Sequence, residues 1–343
     1  MKSNFMFLFC AIVFLLVSVQ QSISIHYRGT MISTSLKADD FRVLASWKAN
    51  HVRWQLNWFS DDANKANVSQ YIAWLEGALS VFDGMIPVLR DLGLHVLLDL
   101  HTPPGGQDEQ HRYRIFTEQQ FQDCFLYVWK MMANRYKNET LIMGYDILNE
   151  PDDRILAPGL LNWRNLSILA IQNIRAIDSQ HPIIFEASPG GLPSTLPTFV
   201  PLPFDNIIYS IHMYEPYEFT FQNLNNNVTP IYYPGKIGEK IFDKDLLRSI
   251  LQPNSVWQRA HNVSIHVGEF SAIRWAPGNS TANYLRDLID LYEEYGWTWD
   301  YHCFREFQGW DVEMIGDKNH PQRSPVPTDR QLTLMNGLKK NEQ

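Results

Sequence analysis

Cysteine is scarce in this chain: three occur in 343 residues, and one of them, Cys10, lies in an apolar opening segment. The other two, Cys124 and Cys303, are too few for a disulfide scaffold, and a chain of this length can bury an adequate core without cross-links. Both are expected to stay reduced. Basic charge is also short. The 29 Lys and Arg are outnumbered by 37 Asp and Glu, giving a formal net charge of −8 with the two signs scattered, which argues against nucleic acid or an anionic membrane as partner. No internal repeat, low-complexity linker or domain boundary is visible. Beyond the opening segment, no run is expected to be apolar enough to cross a bilayer.

Several chemical signatures are missing too. Pro104-Gly105-Gly106 lacks the Lys-Ser or Lys-Thr of a phosphate-binding loop, and there is no Gly-x-Ser-x-Gly elbow. His101 and His111, or His261 and His266, lack the i, i+4 pairing of a zinc-protease helix. Neither a catalytic metal nor a cofactor is expected.

What is present begins with a leader. Met1-Lys2 starts positively, residues 5–19 are continuously apolar, and Gln20-Gln21-Ser22-Ile23-Ser24 suits cleavage before Ile25. A signal peptide over 1–24 and a single domain over 25–343 are expected, implying a secreted, monomeric protein. The remaining length suits one large α/β barrel, which takes about 250 residues plus insertions. Acceptor sequons for N-glycosylation stand at Asn67, Asn138, Asn165, Asn227, Asn262 and Asn279, in keeping with that route.

Strand-like and helix-like segments alternate along the chain. Strands are expected over 25–32, 51–58, 94–100, 142–148, 182–187, 207–213, 264–267 and 297–304. Helices are expected over 37–50, 68–92, 117–136, 160–178, 243–261, 279–295 and 330–340, and residues 215–239 are too irregular for a simple connection. Apolar runs rather than strict alternation suit parallel strands covered on both faces. A doubly wound sheet gives the same alternation. A closed (β/α)8 barrel is favoured because Arg53, His101, Asn149, Glu150, His212, Tyr214 and Glu269 fall at or near the C-terminal ends of different strands, the face where barrels build active sites.

Two of those strand ends carry glutamate: Ile147-Leu148-Asn149-Glu150-Pro151 and His266-Val267-Gly268-Glu269-Phe270. The proline after Glu150 biases that residue towards an extended conformation, so Glu150 should stand at the mouth of its strand. Two carboxylates about 5 to 5.5 Å apart can cleave a glycosidic bond with retention, one protonating the leaving oxygen and the other attacking the anomeric carbon. Asn149 can bond a sugar hydroxyl, Arg53 can hold one glutamate as the anion, and Tyr214 can donate to the same carboxylate. His101 and His212 supply further donors and acceptors. Singly, each of these residues has an ordinary structural explanation; together they point to a reaction centre.

On Val52-Arg53, Asp99-Leu100-His101, Asn149-Glu150-Pro151, His212-x-Tyr214 and Gly268-Glu269-Phe270, taken in order, the chain resembles glycoside hydrolase family five, the cellulase-like barrels. The resemblance implies a retaining mechanism with Glu150 as acid/base and Glu269 as nucleophile, acting on an oligo- or polysaccharide. It also implies a tryptophan platform on strand eight. His302 stands there instead, and Trp310 a few residues on is the candidate replacement. Hydrolysis of a β-linked glucan is the leading expectation. A β-mannanase, an exo-acting β-glucanase or β-glycosidase, and a non-catalytic carbohydrate-binding barrel are the alternatives. A barrel lyase or isomerase is less favoured, because phosphate-binding loops after the last strands are missing.

Overall fold

The computed structural model describes residues 26–224 and 230–342. The leader, Ile25 of the opening strand and the Asn227 sequon lie outside the described residues.

Eight parallel strands close into a barrel: β1 (Arg28–Ile32), β2 (His51–Gln55), β3 (His95–Asp99), β4 (Ile142–Asp146), β5 (Ile183–Glu186), β6 (Ile207–Met213), β7 (Ser264–Phe270) and β8 (Thr298–Phe304). Each pairs with its neighbours in sequence, and β8 returns to β1. Because side chains alternate across a strand, each strand feeds two compartments. In β2, Val52 and Trp54 join the large apolar core between barrel and helices, while Arg53 between them reaches inward. Leu97, Met143 and Ile184 form a separate small apolar cluster of their own.

Helices cover the outside, and their ends are capped as the sequence allows. Asn67 accepts the Gln70 N–H at the start of helix Val68–Asp91, and Asp243 accepts that of Leu246 at the start of Lys244–His261. Helix Ser280–Tyr295 ends at Gly296 in the left-handed region. Helix Val68–Asp91 corrects one expectation, since its length and composition alone would let it cross a membrane. In this fold it buries Tyr71, Leu75, Leu79, Phe82 and Leu89, a stripe at helical spacing, against the core.

Between β6 and β7 the irregular stretch holds a short helix, Tyr217–Thr220, and the hairpin Gly235–Ile237 with Lys240–Phe242. Cys124 and Cys303 are both free and buried.

One irregularity in the barrel sits beside Glu269. Along β6 and β7 the register runs Ile211 to Val267 and then His212 to Glu269, skipping Gly268. Such a bulge re-aims the next side chain. Glycine is required there: a Cβ on Gly268 would lie 2.7 Å from Ser210 Oγ and 2.8 Å from His212 Nε2.

Candidate active site

The sequence-predicted residues meet at one end of the barrel, around a wholly buried arginine. Arg53 donates from Nη1 to Glu269 Oε1 at 2.7 Å and from Nη2 to Asn149 Oδ1 at 3.0 Å. The same guanidinium bonds Asp146 Oδ2 at 2.9 Å and Glu186 Oε1 at 3.2 Å, and lies 3.3 Å from Asp99 Oδ2. Four buried carboxyl groups around one cation cannot all ionise cheaply. Burial pushes Asp146 well above the usual carboxylate range, and Arg53 does not bring it back.

Glu269 has the opposite balance. Burial alone would raise it, but His212, His302 and Arg53 together hold it well below an ordinary glutamate. Its Oε2 accepts the Tyr214 hydroxyl at 2.8 Å and faces His302 Nδ1 at 3.0 Å. Tyr214 spends its proton on Glu269, so His302 Nδ1, 2.6 Å from the same hydroxyl oxygen, must be a donor. That agrees with an imidazole pushed up to about 9, where burial is outweighed by Glu269 and Glu306.

Glu150 sits on the other side of His212. The imidazole Nδ1 lies 2.8 Å from Glu150 Oε1 and 3.8 Å from Glu269 Oε2. One oxygen of each glutamate and a nitrogen of His212 all lie within 4.8 Å of one another. Glu150 itself corrects an expectation: β4 ends at Asp146, and Glu150 stands beyond it at a φ of 42°, not in the extended conformation its proline favours. His101 holds Asp99 Oδ2 through Nδ1 at 2.8 Å and brings Nε2 to 3.5 Å from the Asn149 amide. Trp310 is half-buried, its ring 4.8 Å from that of His302 and 5.6 Å from that of Tyr214.

All eight residues singled out from the sequence therefore line one constellation. Sequence reasoning missed Asp146, Glu186 and Glu306 as members. A signal existed for Glu186, because Ile183-Ile184-Phe185-Glu186 is a third apolar strand ending in glutamate. Glu306 accepts from Gln55 Nε2 at 2.6 Å and faces His302 Nε2 at 3.7 Å.

Among the described residues, three groups gather three possible metal-ligating atoms: Glu150, His212 and Glu269; His302, Cys303 and Glu306; and His51, His266 and Asp300. The first two belong to the same constellation. The third is wholly buried, and in it Asp300 Oδ2 lies 2.9 Å from His51 Nε2 and 3.1 Å from His266 Nε2. Outside the constellation, a cavity of about 330 Å³ opens beside the chain that leads on from Glu150, lined by Gln110, Tyr113, Asp152 and Arg154 among others.

Comparison with known proteins decides the family: the family model "Cellulase (glycosyl hydrolase family 5)" matches residues 18–307. The chain belongs to glycosyl hydrolase family 5. It is 26% identical over 300 residues to endoglucanase C of Acetivibrio thermocellus, covering 78% of this chain and 84% of that protein. It is 22% identical over 279 residues to cellodextrinase A of Ruminococcus flavefaciens, covering 79% of each. Among solved structures, Thermotoga maritima Cel5A in complex with mannotriose superposes with a TM-score of 0.70 at 23% identity, over 92% of this chain and 97% of that one. A family 5 protein of this likeness is an O-glycosyl hydrolase on a (β/α)8 barrel, as the sequence implied. The lyase and the non-catalytic readings give way to it.

Proposed function

We propose that the protein is a retaining hydrolase of β-linked glucan that works by double displacement, with Glu269 as nucleophile and Glu150 as acid/base. The observation that carries this reading is the placement of one oxygen from each carboxylate within 4.8 Å of the other. Retaining glycosidases hold the two groups about 5–5.5 Å apart, whereas inverting ones leave about 6.5–9.5 Å for a water between them.

In the first step a Glu269 oxygen attacks the anomeric carbon while the bond to the leaving oxygen breaks and Glu150 gives that oxygen its proton. In the second, the Glu150 carboxylate takes a proton from water, the water oxygen bonds the anomeric carbon, and the ester to Glu269 breaks. The surroundings suit the roles. Glu269 must be ionised to attack, and Arg53, Tyr214 and His302 all donate towards its carboxylate. Glu150 is the more open of the two, its side chain 39% exposed against 5% for Glu269, as a group that must meet leaving group and water in turn. Asn149 bonds a hydroxyl of the reacting sugar, His101 and His212 frame it, and Trp310 offers an aromatic face.

A glucan substrate is supported by the names of two relatives, an endoglucanase and a cellodextrinase. Action outside the cell is supported by the apolar opening run and by the exposure of Asn67, Asn138, Asn165, Asn262 and Asn279, the described sequon asparagines. The test is a panel of β-glucans, mannan, xylan and aryl β-glycosides, with product lengths resolved and the first-formed anomer followed by NMR. Shorter β-gluco-oligosaccharides released first as the β-anomer are expected. Release of the α-anomer would overturn the retaining mechanism, and preference for mannan or xylan would overturn the substrate.

A further inference from the structure

Of the carboxylates at the site that the two-glutamate reaction does not use, Glu186 is the one bonded to Glu150 itself. Glu186, the last residue of β5, is wholly buried, and both of its oxygens are engaged. Its Oε2 accepts the backbone N–H of Glu150 at 2.8 Å. Its Oε1 lies 3.1 Å from His212 Nε2 and 3.2 Å from Arg53 Nη2. His212 then reaches Glu150 Oε1 through its other nitrogen at 2.8 Å. Glu186 thus reaches Glu150 twice, by a hydrogen bond at the backbone and by ion pairing with the imidazole that bonds the Glu150 side chain.

Glu150 needs such a tie. A non-glycine residue at a φ of 42° is strained and persists only where its surroundings over-determine it. The turn after β5 adds to the clamp, since Gly190 N–H bonds Pro151 O and Gly191 O accepts the His212 N–H, both at 2.8 Å. That turn passes so close that a Cβ on Gly191 would lie 2.9 Å from Glu186 Oε2.

Charge gives the second half. A proton donor must hold its proton until the leaving group needs it, yet an imidazolium bonded to a carboxyl favours the ionised form. Glu150 is faced by His212 and Tyr214 from the β6 side, by Glu269 from β7, and by Tyr113 and Tyr217 from the loops. Glu186 is faced by Arg53 from β2, Asp146 from β4 and His212 from β6. Its carboxylate lies against both Arg53 and His212, and His212 is the one that also bonds the Glu150 side chain.

We propose that Glu186 is a positioning residue acting through Glu150: it clamps the Glu150 backbone and sets its negative charge against the imidazole that bonds the Glu150 carboxyl. This rests on the acid/base reading of Glu150.

Glu186→Gln keeps an oxygen for the Glu150 N–H but removes the charge, and Glu186→Asp keeps the charge but shortens the reach. With Gln, hydrolysis of a β-gluco-oligosaccharide is expected to fall about 10- to 100-fold, within the range general-acid catalysis supplies. The basic limb of its kcat/KM profile should move to lower pH while the acidic limb stays. Cleavage of a dinitrophenyl β-glucoside, whose leaving group needs no proton, should keep its burst rate within about threefold. Glu186→Asp should slow the oligosaccharide but return the basic limb to its wild-type position. Glu150→Gln with Glu186→Gln should be no slower than Glu150→Gln alone. Equal losses on both substrates with an unmoved basic limb, or additive losses in the double variant, would overturn the proposal. If Glu150→Gln alone hydrolyses the oligosaccharide at the wild-type rate, what fails is the acid/base reading, and the role given to Glu186 falls with it.

Discussion

Glu150 and Glu269 share one histidine: His212 Nδ1 lies 2.8 Å from an oxygen of the first and 3.8 Å from an oxygen of the second. Their direct hydrogen-bond partners otherwise differ. Glu269 receives Arg53, Tyr214 and His302 directly, whereas Glu150 has its backbone held by Glu186. Unlike surroundings for two like groups are how one site assigns one carboxylate to attack and the other to proton transfer.

Arg53 is the first place to test this. A lysine there can reach one carboxylate as a point charge but cannot span Glu269, Asp146 and Glu186 as the guanidinium does. Arg53→Lys should lower kcat more than 100-fold and move the acidic limb of kcat/KM to higher pH, because a cation that holds Glu269 down is weakened. Leaving buried carboxylates without their partner costs about 3–5 kcal/mol, measurable by urea unfolding. An unshifted acidic limb would show that Arg53 does not set the ionisation of Glu269.

His302 makes stability depend on pH in a definite direction. Its folded pKa is raised from 6.5 to about 9, burial being outweighed by Glu269 and Glu306. The stabilisation is therefore fully present below pH 6.5 and is lost as pH rises through about 9. Tm should fall across that window, and His302→Asn should flatten the fall. A wild-type slope retained in the variant would place the titrating group elsewhere.

Gly268→Ala tests the bulge. The added carbon would meet Ser210 Oγ and His212 Nε2 at 2.7 and 2.8 Å, so the imidazole between the two glutamates must shift. A drop in kcat of tenfold or more is expected, with a stability loss of about 1–3 kcal/mol for the overpacking. Unchanged kcat in a folded variant would mean that His212 can move without consequence.

Particular residues show how much of the fold and site is legible in the sequence. β6 lies where the apolar run 207–213 puts it, since a run buried on both faces announces itself by composition. The sequence pattern ends β7 at 267 because glycine looks like a strand break, yet the strand runs on to Phe270 through the bulge that Gly268 permits. The preference of Glu150 for extended backbone is a local rule overridden by tertiary contacts from Glu186 and His212. Asp146 sits inside the apolar run 142–148, and only barrel closure reveals that its side chain faces Arg53. His302 is legible as a departure from the family, but its bond to Glu269 depends on two strands meeting in space.

The role of Glu269 as nucleophile of a retaining reaction is tested most directly by azide rescue of Glu269→Gly on an activated β-glucoside, with the product anomer assigned by NMR. With the carboxylate gone, azide should enter the vacated face, restore turnover and give the α-glucosyl azide. Near-normal turnover without azide, or rescue that yields the β-azide, would contradict the assignment.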